Sequence, residues 1–158
     1  MLQGAELAIR SRNARGGVHG TPIEHLVVSC DVFDSEHVHG VLMPGPYSTS
    51  HSLIDAQELA RALGIETQQI SINEPFQAFG RILSEHMGGF GGVAAENTQA
   101  RCRMIILMAI SNMTGWLVVN TGNRSEAMMG YSTLYGDTVG AFAPIGGLYK
   151  TDVFAASR

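Results

Sequence analysis

Three stretches of the chain bring together residue types able to do chemistry. The first is Thr121-Gly122-Asn123-Arg124-Ser125-Glu126, directly after the apolar run Trp116 to Asn120. A strand that ends at a glycine and turns into a helix aims backbone N–H groups at an anion. Thr121 offers a hydroxyl to a phosphate or ribose. Glu126 offers a carboxylate to a Mg2+ that neutralises phosphate charge. The same spacing serves a plainer purpose, because Asn123 and Glu126 also fit a capping box. Spacing leaves both uses open.

The second stretch is Ala95-Glu96-Asn97-Thr98-Gln99-Ala100-Arg101-Cys102-Arg103, at the head of a long helical pattern. It is either a solvated first turn or an arginine fork suited to a phosphate or carboxylate. The following run, Met104 to Ile110, is apolar on every helix face. Such a helix is expected to be buried all round, in a core or against a second subunit. The third stretch, Tyr131-Ser132-Thr133-Leu134-Tyr135-Gly136-Asp137, reads as a turn ending in Gly-Asp. It also presents hydroxyls, a carboxylate and an aromatic ring to a polar ligand.

Other candidates carry less. Gly88 to Gly92 follows no strand and has neither G-x-G-x-x-G nor Lys-Ser/Thr, so it reads as a mobile loop. The 6 histidines form no H-E-x-x-H and no pair four apart. His37 and His39 alternate on a strand edge and read as structural or exposed. No Ser-His-Asp or Cys-His arrangement is evident.

Elements must hold these residues in place. Pro22 to Phe33 reads as a helix and Val38 to Met43 as a buried strand closed by Pro44-Gly45-Pro46. Ser50 to Leu63 reads as a helix with Leu53, Ala56, Leu59, Ala60 and Leu63 on one face and Gly64 as its stop. Glu66 to Ile72 is a second strand, Gln77 to Met87 a helix and Glu96 to Met113 a long helix. Trp116 to Asn120 is a third strand. Asn123 to Met129 is a short helix, and a last one begins at Thr151. Strands alternating with helices predict an α/β fold with a parallel sheet, whose ligands sit at the carboxyl ends of the strands. Two strand ends meet that description: Met43 to Ser48 and Thr121 to Glu126.

The chain has 158 residues, 45% apolar and only 15% charged, with a net charge of −4. One domain with a core is expected, its sparsely charged surface partly covered by a partner. Nothing basic points to nucleic acid. Cys30 and Cys102 show no paired spacing, which favours a reduced, cytoplasmic setting. The first residues show no secretory pattern, and the longest apolar run is far too short to span a bilayer. Residues 1–21 are polar and patternless and are expected to be poorly ordered.

Three long segments resemble NAD synthetases: VHGVLMPGPYSTSHSLIDAQELARALGI at 38–65, AENTQARCRM at 95–104, and TGNRSEAMMGYSTLYGDTVGAFAPIGGLYKT at 121–151. The TGN-x-SE and Y-x-TLYGD wording is similar to the glutamine-dependent type. It argues against a GMP synthetase of the same ATP-pyrophosphatase group. The resemblance implies a Rossmann-like three-layer adenine-nucleotide alpha-hydrolase (ATP-pyrophosphatase) fold with a parallel sheet, spanning residues 22–158 as a partial domain truncated at both ends. It implies that ATP adenylates the carboxylate of deamido-NAD and that ammonia then displaces AMP.

By position, Thr121 and Lys150 resemble ATP contacts. Asn97, Arg101, Glu126, Tyr131, Ser132, Thr133, Leu134 and Asp137 resemble deamido-NAD contacts. Glu126 also resembles the Mg2+ ligand. Leu134 stands where ammonia-dependent members carry Lys. The resemblance further implies a homodimer, and an ammonia source or glutaminase domain outside this chain. One departure matters. Where the family carries S-G-G-x-D-S, this sequence has Arg15-Gly16-Gly17-Val18-His19-Gly20-Thr21. That is not a phosphate loop, so impaired turnover is expected, with a non-catalytic dimerising or nucleotide-binding remnant as the alternative.

Overall fold

The computed structural model describes residues 37–156. The segments 1–21 and 22–33 of the sequence reading lie outside that range. The elements in order are β1 (His39–Leu42), α1 (Ser50–Leu63), β2 (Glu66–Gln69), α2 (Asn73–Met87), α3 (Gly92–Thr114), α4 (Arg124–Met129) and α5 (Lys150–Ala156).

β1 and β2 are parallel, with His39 opposite Glu66 and Leu42 opposite Gln69. The connection is α1, as a parallel crossover requires. α1 keeps its expected bounds. Thr49 accepts from the Ser52 N–H at its start, and Gly64 closes it. Its expected inner face is only partly covered, and Leu59 is 60% exposed.

The hydrogen-bond ladder outlasts the regular strand. Ile70 N–H donates to Leu42 O and Ile72 N–H to Pro44 O, both at 2.9 Å. The ladder thus runs on to Ile72, the end expected for the second strand, where the backbone turns at φ −91° and ψ 4° into the next helix. α2 begins at Asn73, four residues earlier than expected. Pro75 does not prevent this, because a first-turn residue needs no N–H partner within the helix.

The core sits where these pieces converge. Ile72 is fully buried, and Phe76, Ala95 and Cys102 pack with it, backed by Met43, Phe90 and Ile106. Phe76 and Phe90 stand 5.4 Å apart, tilted. Phe90 thereby anchors the glycine-rich stretch expected to be mobile. Burial pushes the Cys102 thiol above its usual range, and the adjacent Arg103 charge only partly offsets this.

Two expectations are met only in part. Of the two coverings expected for Met104 to Ile110, the core of the described residues does not supply the whole: Ile105 is 52% exposed, and Met113 at the helix end is 84% exposed. Among the described residues the core covers only one face of α3. Among the described residues the run Trp116 to Asn120 finds no partner for a full strand. It makes one parallel bridge, Val119 to Phe142, with Asn120 N–H donating to Phe142 O and Ala141 N–H to Val118 O. Just before the bridge Gly140, at a φ of 134°, packs directly on the main chain of Val118 and Asn120. His39 is structural, as expected. Its ring stacks on Trp116 with centroids 3.7 Å apart, and its Nδ1 lies 3.7 Å from Glu66 Oε2.

Candidate nucleotide site

α3 is the spine of the site. Side chains four apart share a helix face, and α3 uses two such faces. On one, Arg103 Nε donates to Met43 O at 3.1 Å, fixing the carboxyl end of β1. Gln99 lies on the same side, close against Gly45. Arg103 is half-buried and bound to main chain, so it does not form an anion fork with Arg101. Burial also lowers its pKa from the usual arginine value.

On the other face, α3 grips the 131–138 loop. Thr133 Oγ1 donates to Asn97 Oδ1 at 2.9 Å, and Arg101 Nε donates to Leu134 O at 3.2 Å. Thr133 N–H donates to Asp137 Oδ1 at 2.7 Å, and Thr138 Oγ1 to Thr133 O. Thr133 is itself buried. At Gly136 a Cβ would stand 2.9 Å from the Ala100 and Thr133 side chains, so only glycine lets the loop seat on the helix. The sequence reading joined Asn97, Arg101, Thr133, Leu134 and Asp137 as ligand contacts. In the fold they also bond to one another. Tyr131, Ser132 and Leu134 keep exposed side chains. Tyr135, within the same stretch but not assigned as a contact, is exposed and adopts a left-handed φ of 59°. For a bulky residue that conformation is a strained one.

The turn after Asn120 makes a second cluster. Asn123 caps α4, with Glu126 N–H donating to Asn123 Oδ1 at 3.1 Å and Asn123 N–H to Glu126 Oε2 at 3.0 Å. The capping box is therefore real. It occupies Oε2 and leaves Oε1 without a hydrogen bond among the described residues. Thr121 is exposed beside it. Lys150 arrives from far along the chain: its N–H donates to Ser125 Oγ at 3.0 Å.

Asn120 couples the two clusters, and sequence reasoning missed it. Its Nδ2 donates to Asp137 O at 3.0 Å and Val139 O at 2.9 Å, while its Oδ1 accepts from Gly122 N–H at 2.7 Å. An amide ending an apolar run was the available signal, since a partly buried amide needs partners.

The site thus presents one turn with a hydroxyl, a carboxylate and a lysine, braced to a loop with hydroxyls and a carboxylate. The same combination of segments is found in known proteins: residues 15–158 match the NAD synthase family profile. The chain belongs to the NAD synthase family. It is 47% identical over 136 residues to the glutamine-dependent NAD(+) synthetase of Thermotoga maritima, covering 84% of this chain and 23% of that protein. It is 36% identical over 143 residues to the NH(3)-dependent NAD(+) synthetase of Halobacterium salinarum, covering 90% and 52%. Its fold matches the glutamine-dependent NAD+ synthetase of Acinetobacter baumannii in complex with ADP. The TM-score there is 0.72 and the identity 36%, over 98% of this chain and 27% of that one. The chain therefore spans about a quarter of the length of the glutamine-dependent relatives. The fold is the adenine-nucleotide alpha-hydrolase fold of these synthetases.

Proposed function

We propose that this chain carries the nucleotide-recognising part of a synthetase that amidates deamido-NAD to NAD with ATP. The observation that carries the proposal is the Asn120 bridge between the Thr121–Glu126 turn and the loop ending at Asp137, in a chain of this family. In the first step the deamido-NAD carboxylate attacks the α-phosphorus of ATP, forming an acyl adenylate as pyrophosphate leaves. Ammonia then attacks the acyl adenylate and AMP leaves. Holding the two nucleotides in register is the main requirement of such a reaction.

Thr121 and Lys150 serve the ATP side. Tyr131, Ser132 and Leu134 face deamido-NAD, while Asn97, Arg101, Thr133 and Asp137 hold that surface in shape. Glu126 fits a Mg2+ site of one kind only. No group of three carboxylate, imidazole or thiol side chains gathers among the described residues. Glu126 would hold the Mg2+ ion as a single carboxylate, which suits an ion usually bound by one or two carboxylates together with substrate phosphates. When bound, it supplies charge neutralisation on the departing pyrophosphate.

Glu126→Gln tests this directly, because glutamine preserves the capping box and removes the charge. The expected result is a roughly tenfold or greater loss of ATP-Mg affinity by calorimetry, as for a charge-assisted contact, with little change in melting temperature. Turnover of ATP, deamido-NAD and ammonia to AMP and NAD should be weak in this chain alone, because its sequence lacks S-G-G-x-D-S. Robust turnover would overturn the impairment. Failure to bind either nucleotide would overturn the assignment.

The exposed side of α3, with Ile105 and Met113, supports a homodimer that covers it. Sedimentation should show a dimer at micromolar concentration, and a monomer there with α3 protected from amide exchange would sink this reading. The buried, unpaired Cys102 supports a cytoplasmic setting, which cell fractionation would check. No helix among the described residues is long and apolar enough to cross a membrane.

A further inference from the structure

Two segments about 25 residues apart in sequence meet in three successive contacts. Arg124 N–H donates to Leu148 O at 2.8 Å. The Arg124 guanidinium lies over the Tyr149 ring, 4.9 Å from its centroid. Lys150 N–H donates to Ser125 Oγ at 3.0 Å. Residues 148, 149 and 150 are thus each tied, in order, to residue 124 or 125.

The contacts have a directional consequence. Lys150 is the first residue of α5, and its side chain is exposed. A long, flexible ammonium side chain is a poor phosphate contact unless its backbone is held. The hydroxyl of Ser125 holds that backbone at the N–H, and Arg124 holds the two residues before it. The same turn contains Thr121 and Glu126. The anchor of Lys150 and the hydroxyl and carboxylate offered to ATP are therefore built on one short piece of chain.

We propose that Ser125 and Arg124 are positioning residues that dock Lys150 onto the Thr121–Glu126 turn, making the ATP side of the site a single unit. The proposal rests on the reading of Lys150 and Thr121 as ATP contacts. It assigns no ligand contact to either positioning residue. Arg124, whose charge would otherwise invite a role on phosphate, spends it on Tyr149.

The test uses the full chain and calorimetry with ATP-Mg and, separately, deamido-NAD. Ser125→Ala should weaken ATP-Mg binding about three- to tenfold, the scale of one lost hydrogen bond. It should leave deamido-NAD affinity unchanged, and Ser125→Thr, which keeps the hydroxyl, should restore ATP-Mg binding. In a Lys150→Met background, Ser125→Ala should add almost nothing, because what it positions is gone. Arg124→Met should follow the pattern of Ser125→Ala.

Wild-type ATP-Mg affinity in Ser125→Ala, with Lys150→Met impaired, would overturn the inference alone. So would equal losses for both nucleotides, which signal a general loss of structure. An unchanged ATP-Mg affinity in Lys150→Met would overturn it while leaving the deamido-NAD side standing. Absence of binding to both nucleotides by the wild-type chain would remove the functional reading, and this inference with it.

Discussion

Gly140→Ala is expected to destabilise the fold by about 3 kcal/mol or more, lowering the melting temperature by roughly 6–12 °C. Gly140 has a φ of 134°, a region that side chains rarely adopt. A Cβ there would stand 2.8 Å from Asn120 N, 3.0 Å from its Cβ and 3.1 Å from Val118 O. Two of these are main-chain atoms, which cannot turn aside as a side chain can. Relief requires moving the Ala141 and Asn120 hydrogen bonds that form the Val119–Phe142 bridge. Thermal unfolding measures the loss, and amide exchange at Asn120 and Ala141 locates it. A melting temperature within a degree or two of wild type would contradict this account.

Asp137→Ala carries the second large effect. Asp137 Oδ1 accepts from the main-chain N–H of buried Thr133, so alanine strands a buried donor. Hydrogen bonds to a charged group contribute about 1.5–3 kcal/mol, and an orphaned donor costs on that order. The loop should lose its seat on α3, and deamido-NAD binding should fall with it. Asp137→Asn separates bracing from contact. It keeps an acceptor at Oδ1, so stability should stay near wild type. If affinity for deamido-NAD also stays near wild type, Asp137 acts by shaping the loop. If affinity collapses at unchanged stability, the carboxylate itself meets the ligand. Equal, small effects of both substitutions would defeat the bracing role.

Helices with marked ends were legible in the sequence, and their bounds follow from local chemistry. Thr49 and Gly64 delimit α1, and Asn123 with Glu126 delimits the start of α4. Such signals act within a turn or two of chain. The parallel pair was also legible, since two short strands on either side of a helix leave few alternatives. The third strand was not. An apolar run states that a segment prefers burial, but pairing depends on a neighbour's backbone, and among the described residues that neighbour meets the run at one bridge only. What covers the all-apolar stretch of α3 was not legible either: hydrophobicity is a property of the run, and coverage is a property of what surrounds it.

The candidate site divides along the same line. Local residue types and family resemblance determined which segments matter: 95–103, 121–126, 131–137 and Lys150. Only the tertiary structure decided how they are used. Arg101 and Arg103, two apart in sequence, serve different faces of α3, because a helix turns 100° with each residue. Thr133 bonds both Asn97 and Asp137, so residues that the resemblance joined as ligand contacts also brace one another. Asn120, Ser125 and Arg124 gain their roles from partners about 17 to 25 residues away, at separations that no local pattern records. Residue types set what chemistry was available, and long-range hydrogen bonds decided which groups remain free to perform it.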